Sequence, residues 1–161
     1  MKHTVPFFKI MFYFIIKGFN GSAAAFGFNP YGNIILGSGH LASPANACKP
    51  LTPPFYDEEW DYTPIMVIER GSCSFVTKAY YAQIVGARLV IIIDNKALED
   101  VDKIIMSDDG HGLYPFLYIL MNLKIGEQIS IPVVLISEED GDKLMKFLNS
   151  TDKMVARSVA L

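Results

Sequence analysis

The sequence predicts an α/β fold in one domain, and three observations point to it. At 161 residues, of which 51% are hydrophobic, the chain has the size of one domain and ample material for a buried core. Two β-branched runs, Ile65–Ile68 and Leu89–Ile93, lack polar alternation, which is typical of strands covered on both faces. A helical pattern lies between these runs. We therefore expect a strand-helix-strand unit at about residues 64–93, with parallel strands and a right-handed crossover.

The helix of this unit is predicted from four small or apolar residues at helical spacing: Phe75, Ala79, Ala82 and Gly86. Residues spaced in this way lie on one face of a helix, where they can pack on a sheet. Ser72 or Ser74 precedes this helix, and either hydroxyl can cap its first turn.

The second half of the chain continues the alternation of strands and helices. Ile131–Ile136 is a further apolar run, and Pro132 places the start of this strand at an edge or at its first residues. Ser137 then opens a helix with a capping hydroxyl and acidic residues in the first turn. We expect Lys153–Leu161 to close the sheet. The polar and acidic segment Asp94–Gly112 predicts a surface loop.

The segments before the central strands contain more turn residues. Asn33–Leu36 is predicted as a short strand that ends at the turn residues Gly37–Gly39. Ala42–Trp60 is rich in proline and acid, which indicates a long loop.

Residues 1–25 allow two interpretations. Lys2 and the apolar run Ile10–Ile16 precede small residues, as in a signal peptide, although the run is short and Lys9 interrupts the apolar residues before it. The run is far below the roughly 20 residues of a membrane span, and no transmembrane segment is predicted. The alternative is that this segment is the first strand or an irregular extension of the domain. We expect a single domain over residues 16–161.

Charge and cysteine content exclude several classes of site. The 14 basic and 17 acidic residues give a net charge of −3 without a basic run, so nucleic acid is not an expected partner. Cys48 and Cys73 lack the spacing of a zinc site, so we expect no metal. In an oxidising compartment these two cysteines are expected to form a disulfide. Asn20 and Asn149 begin glycosylation triplets that fit a luminal protein.

Motifs of a cofactor or an enzyme are weak. Gly37–Ala42 matches the dinucleotide fingerprint G-x-G-x-x-[GA], but Pro44 would stop the helix that this motif requires, so we expect no cofactor. A cysteine paired with a distant histidine is an alternative to the disulfide. The three histidines are His3, His40 and His111, and no recognisable catalytic motif surrounds any of them. We therefore expect no catalysis by this chain.

The acidic residues of the predicted loop after the second central strand have two interpretations. The carboxylates of four residues could bind calcium, namely Asp100, Asp102, Asp108 and Asp109. Their spacing, however, does not match that of a calcium loop. The alternative is a solvated acidic loop, which could also recognise a basic or amino-terminal group.

One segment closely resembles a known family. Residues 69–87 read E-R-G-S-C-S-F-V-T-K-A-Y-Y-A-Q-I-V-G-A, similar to the R-G-x-C-x-F-x-x-K-x-x-x-A-Q-x-x-G-A signature of the protease-associated (PA) domain. Asp94-Asn95 and Ile131-Pro132 follow in the order of the family. Ala47–Leu51 resembles the cysteine loop of PA domains in vacuolar sorting receptors and related transmembrane RING-finger proteins. The resemblance covers about residues 16–150.

The resemblance implies a β-sandwich or open-barrel core flanked by helices. It also implies non-catalytic binding of polypeptide cargo or a partner protein, in the endomembrane lumen on a vacuolar or lysosomal route or outside the cell. From it and from the strand ends we expect eight ligand-binding residues: Arg70, Gly71, Ser72, Cys73, Asp94, Asn95, Asp108 and Asp109. A guanidinium at a strand end is a ready partner for carboxylates or peptide carbonyls. The alternative for Arg70 is an internal clamp, and Phe75 and Lys78 are expected to maintain the fold.

Two other roles are compatible with the same resemblance. The domain could be an accessory PA domain that regulates substrate access of a protease, or the luminal domain of a membrane ubiquitin ligase. The apolar segment Leu113–Leu123 stands where the family has a shorter polar loop. It is predicted either to be buried against the domain or to form an exposed interaction surface.

Overall fold

The structure is a computed structural model that describes residues 7–12, 15–29, 34–53, 63–97, 100–107, 125–150 and 156–160. Its strands are β1 Phe7–Phe12, β2 Ile15–Ala23, β3 Ile34–Leu41, β4 Thr63–Glu69, β5 Leu89–Ile93, β6 Val133–Ile136 and β7 Ala156–Ala160. Its α-helices are α1 Phe75–Ile84 and α2 Glu138–Ser150, and short 3-10 helices span Val101–Lys103 and Ile125–Gln128. Within these described ranges, no helix has the length and apolar character needed to cross a membrane.

The strands form a closed barrel in the order β1-β2-β6-β5-β4-β3-β7. Strands β3 to β6 are parallel neighbours, whereas β1, β2 and β7 pair antiparallel. The predicted strand-helix-strand unit is β4-α1-β5, in which Ile65 stands opposite Leu89. The predicted α/β fold class is confirmed. The sheet goes further than the expected sandwich or open barrel and closes on itself, because β7 pairs with both β1 and β3.

A helix covers each face of the parallel strands, which explains their unbroken apolar runs. One face packs against Val76, Ala79 and Ala82 of α1 and carries Met66, Ile68, Val90, Ile92, Val133 and Leu135. The opposite face packs with Leu144 of α2 and Phe19 of β2 and carries Ile65, Val67, Leu89, Ile91, Val134 and Ile136.

Both α-helices begin where the sequence predicts. The Oγ of Ser74 accepts a hydrogen bond from the N–H of Thr77 at 3.1 Å, so Ser74 and not Ser72 caps α1. The Oγ of Ser137 accepts one from the N–H of Asp140 at 3.2 Å at the start of α2. These bonds satisfy amides that the first turn of a helix leaves unpaired.

The turn predicted at Gly37–Gly39 is wrong. These residues lie inside β3, which continues to Leu41 and pairs in parallel with β4 through Gly39 and Ile65. Strand β7 pairs with the first half of β3 on the other side. Pairing with β4 along Gly37–Gly39, and with β7 as far as Gly37, therefore holds this backbone extended and overrides the local tendency of glycine to form turns.

Residues 7–12 and 15–23 form β1 and β2 of the barrel. The sequence left this segment open between a signal peptide and a first strand. The signal peptide within residues 1–25 and the domain boundary at residue 16 stay predictions.

The two predicted loops are only partly described. In the segment Ala42–Trp60, the described residues 42–53 contain no helix or strand. The predicted surface loop after β5 contains the 3-10 helix Val101–Lys103, with Val101 and Met106 buried in the core on the α1 side. The apolar segment Leu113–Leu123 lies outside the described residues.

Close packing between α2 and β5 yields a prediction at Gly141. A Cβ atom there would stand 2.1 Å from Cγ2 of Ile93. Alanine favours a helix over glycine by about 1 kcal/mol, yet this overlap would force packed groups apart. We expect Gly141→Ala to lower the free energy of unfolding by about 1–3 kcal/mol in urea denaturation. In an Ile93→Ala background, where only the 3.1 Å approach to Cβ remains, the loss should be much smaller, and an equal loss in both backgrounds would contradict the packing.

Candidate functional site

The carboxyl ends of the parallel strands bring the predicted site residues to one edge of the sheet. The backbone N–H of Arg70, just after β4, donates to the carbonyl of Ile93 at 2.9 Å. The N–H of Asp94, just after β5, donates to the carbonyl of Ile136 at 2.9 Å. The ends of β4, β5 and β6 are thus held in line. Edges of this kind are where α/β sheets commonly bind ligands.

The Arg70 side chain is fixed from two sides at this edge. One Nη atom lies 2.8 Å from Oδ1 of Asp94, and the guanidinium carbon lies 5.4 Å from the ring centroid of Phe75. The first contact is an ion pair, and the second is a cation–π contact. The Arg70 side chain keeps 20% of its surface exposed, whereas the Asp94 side chain is fully buried. Arg70 is therefore an internal clamp that still reaches the surface.

Asp94 acts on its neighbours rather than on solvent. Its Oδ1 accepts hydrogen bonds from Arg70 and from the backbone N–H of Asn95, the latter at 2.8 Å. Its buried Oδ2 has no hydrogen-bond partner within the described part of the chain. A buried carboxylate with one unsatisfied oxygen depends strongly on its single cation. Asp94 thus fixes the position of Arg70 and of the exposed residue Asn95.

The loop after β4, residues Arg70–Ser74 (the arginine loop), has an unusual backbone. Gly71 and Ser72 have φ angles of 112° and 67°, in the left-handed region. A Cβ atom on Gly71 would stand 3.2 Å from Nδ2 of Asn95, so glycine also permits this close approach. Ser72 is exposed at the tip of the loop. A left-handed serine costs about 1–3 kcal/mol and persists only where the surroundings hold it.

Lys78 holds this part of the arginine loop from the interior of the domain. Its side chain is fully buried, and Nζ donates hydrogen bonds to the carbonyls of Asn46 and Gly71, the latter at 2.7 Å. Nζ also lies 3.6 Å from Sγ of Cys48. Burial lowers the pKa of Lys78 to about 8, against the opposing effect of Glu69. Lys78 therefore ties the arginine loop to residues 42–53, which we call the cysteine loop.

The predicted disulfide provides a second link between the two loops. Cys48 of the cysteine loop is bonded to Cys73 of the arginine loop across a sequence separation of 25. A bridge that closes a loop of this length removes about 3 kcal/mol of conformational entropy from the unfolded chain in the chain-entropy account, before any effect of its surroundings in the folded state. The disulfide and its pairing are confirmed, and they fit an oxidising compartment.

The remaining predicted residues are placed unevenly. Asp108 and Asp109 lie outside the described residues. The carboxylate of Asp100 caps the 3-10 helix and pairs with Lys103 at 3.1 Å. Over the described ranges, no group of three His, Cys, Asp or Glu side chains is arranged to hold a metal ion. The two glycosylation predictions stay predictions, although both asparagines are exposed: Asn20 and Asn149.

Sequence reasoning missed two contacts of this region. Asn46 contributes its carbonyl oxygen to Lys78, and no side-chain pattern could indicate a main-chain acceptor. His40, read as a turn residue, lies in β3, with Nε2 at 2.9 Å from Oγ of Ser38. Burial lowers the pKa of His40. The alternation of Ser38 and His40 along a strand was the available signal, and the turn prediction obscured it.

Residues 32–144 match the PA domain family, and this chain belongs to that family. Vacuolar-sorting receptor 7 from Arabidopsis thaliana is 31% identical over 128 residues, which cover 78% of this chain and 18% of the receptor. Signal peptide peptidase-like 2 from the same plant is 27% identical over 117 residues, which cover 73% of this chain and 18% of that protein. The chain therefore spans about a fifth of these relatives.

A zinc aminopeptidase from Bacillus subtilis, BSAP, has a similar structure, with a TM-score of 0.58 and 20% identity over 97% of this chain and 31% of the enzyme. An aminopeptidase from Aneurinibacillus sp. strain AM-1 is similar to the same degree, with a TM-score of 0.58 and 20% identity over 98% of this chain and 31% of that enzyme. At this identity the likeness concerns the fold alone.

The buried ammonium of Lys78 predicts a pH dependence of stability. The unfolded chain keeps this proton up to about 10.5, whereas the folded chain releases it from about 8. Between these values the unfolded state binds more protons, so the free energy of unfolding should rise with pH. We expect this rise in the oxidised wild type but not in Lys78→Met, when urea denaturation is repeated from pH 7.5 to 10. Parallel pH profiles of the two proteins would contradict a buried, desolvated ammonium.

Proposed function

We propose that this PA domain is a non-catalytic module that binds polypeptide cargo at the carboxyl edge of its parallel strands. The observation that carries the proposal is Arg70, which is held by Asp94 and Phe75 and yet keeps part of its side chain at the surface. A fixed guanidinium binds with a smaller loss of conformational entropy than a mobile one.

The residues of the site have different roles in this proposal. Arg70 donates to carbonyl or carboxylate oxygens of the peptide, while the exposed Ser72 and Asn95 offer further hydrogen bonds. Gly71 permits the left-handed backbone and the close approach of Asn95 that place Ser72 and Asn95 side by side. Four more predicted residues belong to the proposed site: Cys73 and Asp94, which position the arginine loop, and Asp108 and Asp109, which lie outside the described residues.

An extended peptide without strong acidity suits this edge best. Helix α2 begins at the same edge with Glu138, Glu139 and Asp140 in its first turn, and the single cation Lys143 pairs with the last two, which leaves a net negative charge. Asp94 already neutralises Arg70. Acidic ligands would therefore meet repulsion that salt screens, whereas main-chain carbonyls of a neutral or basic peptide would not. We assign the binding to main-chain recognition, with side chains of the peptide providing selectivity.

The compartment proposed for this function is the endomembrane lumen or the extracellular space. The disulfide Cys48–Cys73 requires oxidising conditions to persist. The asparagine that begins each glycosylation triplet is exposed, Asn20 in β2 and Asn149 in α2. Relatives named as vacuolar-sorting receptors support a sorting route towards the vacuole.

A second candidate function is supported by the other group of relatives. Signal peptide peptidase-like 2 and 5 contain segments 27% identical to this chain. The domain would then control access of substrates to a protease, and its edge would contact the protease or its substrate. A purified domain that binds a protease domain but no free peptide would favour this function over cargo binding.

Selection from a random peptide display library tests cargo binding directly. Selected peptides are measured by fluorescence anisotropy against the oxidised wild type and Arg70→Ala. We expect Arg70→Ala to weaken binding by at least about tenfold, the scale of one or two lost charge-assisted hydrogen bonds.

Arg88→Ala is the matched control, because Arg88 is an exposed arginine just before β5, at the opposite edge. It should bind like the wild type. Arg70→Ala leaves Asp94 without its cation, so the double variant Arg70→Gln with Asp94→Asn provides a neutral pair. Wild-type affinity of that double variant, or equal losses in Arg70→Ala and Arg88→Ala, would contradict a site at Arg70.

A further inference from the structure

We propose that the Cys48–Cys73 disulfide is a redox-active site that is reduced by thiols, because its surroundings stabilise the dithiol form. Lys78, the start of helix α1 and two left-handed residues all lie at this bond. Each of them favours cleavage of the bond for a separate physical reason.

Lys78 is a buried cation that forms no ion pair with the described residues while the bond is intact, and the exposed Glu69 acts on it only at longer range. Its Nζ donates to two carbonyls and lies 3.6 Å from Sγ of Cys48. Among the described ion pairs none involves Lys78. Reduction would place a thiolate at Cys48 and supply the missing counter-ion. A nearby ammonium lowers the pKa of a thiol and stabilises its thiolate.

The groups that oppose this thiolate are two main-chain carbonyls, which already accept hydrogen bonds from Lys78, and the exposed carboxylate of Glu69. The carbonyls of Asn46 and Gly71 lie 3.5 Å from Sγ of Cys48, and both accept hydrogen bonds from Lys78. Glu69 raises the pKa of Lys78, which helps keep the ammonium protonated. The full positive charge therefore outweighs the two carbonyl dipoles at Cys48.

Cys73 has its own stabilising feature. It directly precedes Ser74, the N-cap residue of the ten-residue helix α1. No acidic side chain occupies the first turn of that helix. The positive end of a helix dipole lowers the pKa of a neighbouring cysteine thiol. Both sulfur atoms thus lie in surroundings that favour their reduced forms.

The backbone next to each cysteine is strained in the oxidised form. Ala47 precedes Cys48 with a φ angle of 48°, and Ser72 precedes Cys73 with a φ angle of 67°. They are the only residues other than glycine with positive φ within the described ranges. Cleavage of the bond removes one of the two links that hold these residues, the other being the hydrogen bonds of Lys78 to the carbonyls of Asn46 and Gly71. Strained disulfides have more oxidising potentials and are the reducible ones.

The reaction is an ordinary thiol–disulfide exchange. A reductant thiolate attacks one protein sulfur and breaks the bond to the other, which leaves as a thiolate beside Lys78 or the helix. A second reductant thiol then attacks the mixed disulfide. Two electrons pass to the protein, and two reductant thiols become one disulfide. Of the two thiol protons, one protonates Cys73 and the other is released to solvent, because Cys48 stays a thiolate.

This chemistry also bears on the proposed peptide site. The bond joins the cysteine loop to the arginine loop, so its loss would leave Lys78 as the remaining link beneath Gly71. Reduced protein should bind selected peptides less tightly. This consequence rests on the proposed function, whereas the redox equilibrium is measured without any peptide, so failures of the two proposals can be distinguished.

Equilibration of the full chain in dithiothreitol redox buffers tests the proposal. The dithiol fraction is measured by alkylation and mass spectrometry in wild type, Lys78→Met and Lys78→Arg. We expect Lys78→Met to be at least about tenfold harder to reduce, a change of about 30 mV in potential. Lys78→Arg, which keeps the charge, should remain close to wild type. An unchanged or easier reduction of Lys78→Met would overturn the proposal.

Wild-type protein and single-cysteine variants cover the case in which Lys78→Met does not fold. The reduced wild type should stay folded by circular dichroism. In Cys73→Ser, the pKa of the Cys48 thiol, titrated by thiolate absorbance, should fall below the ordinary value of about 8.5. Unfolding on reduction, or a Cys48 pKa at or above that value, would refute a stabilised dithiol.

Discussion

The ammonium of Lys78 organises the edge of this barrel from inside. A fully buried cation must find hydrogen-bond acceptors, and it finds them in the carbonyls of Asn46 and Gly71, which belong to two different loops. The two loops are therefore held together by the requirement of one side chain. The disulfide joins the same loops covalently. Helix α1 carries Lys78, and Cys73 directly precedes the N-cap residue of that helix. The position of Arg70 at the surface follows from this arrangement.

A second, independent constraint acts at the same edge. Arg70 and Asp94 follow neighbouring parallel strands, and the backbone of each donates to the next strand. Their side chains meet because the strands end level with one another. The buried Asp94 carboxylate then fixes the guanidinium, as buried ion pairs do when they specify geometry rather than add stability. An arginine held in this way is a structural clamp, and in the proposed site the same fixed side chain is also a preformed donor, so the two interpretations of Arg70 are compatible.

Much of the fold was predictable from the sequence, because tertiary burial leaves a direct pattern. The apolar runs around Ile65 and Leu89 revealed strands covered on both faces, and serine hydroxyls marked the helix starts. The segment Gly37–Gly39 was not predictable, since its conformation depends on partners distant in the chain, β4 and β7. At the site, the signature residues identified the arginine loop and the disulfide. The ion pair with Asp94 and the Lys78 contacts to main-chain carbonyls arise only from three-dimensional placement.

Membership of the PA domain family and the geometry of the edge lead to one central claim, that polypeptides bind across the arginine loop. Amide chemical-shift mapping of the isotope-labelled oxidised domain with a selected peptide tests it most directly. We expect the largest shifts on Gly71, Ser72 and Asn95, while Arg88 at the opposite edge stays unchanged. Saturable binding with its largest shifts around Arg88 and none at the arginine loop would contradict it.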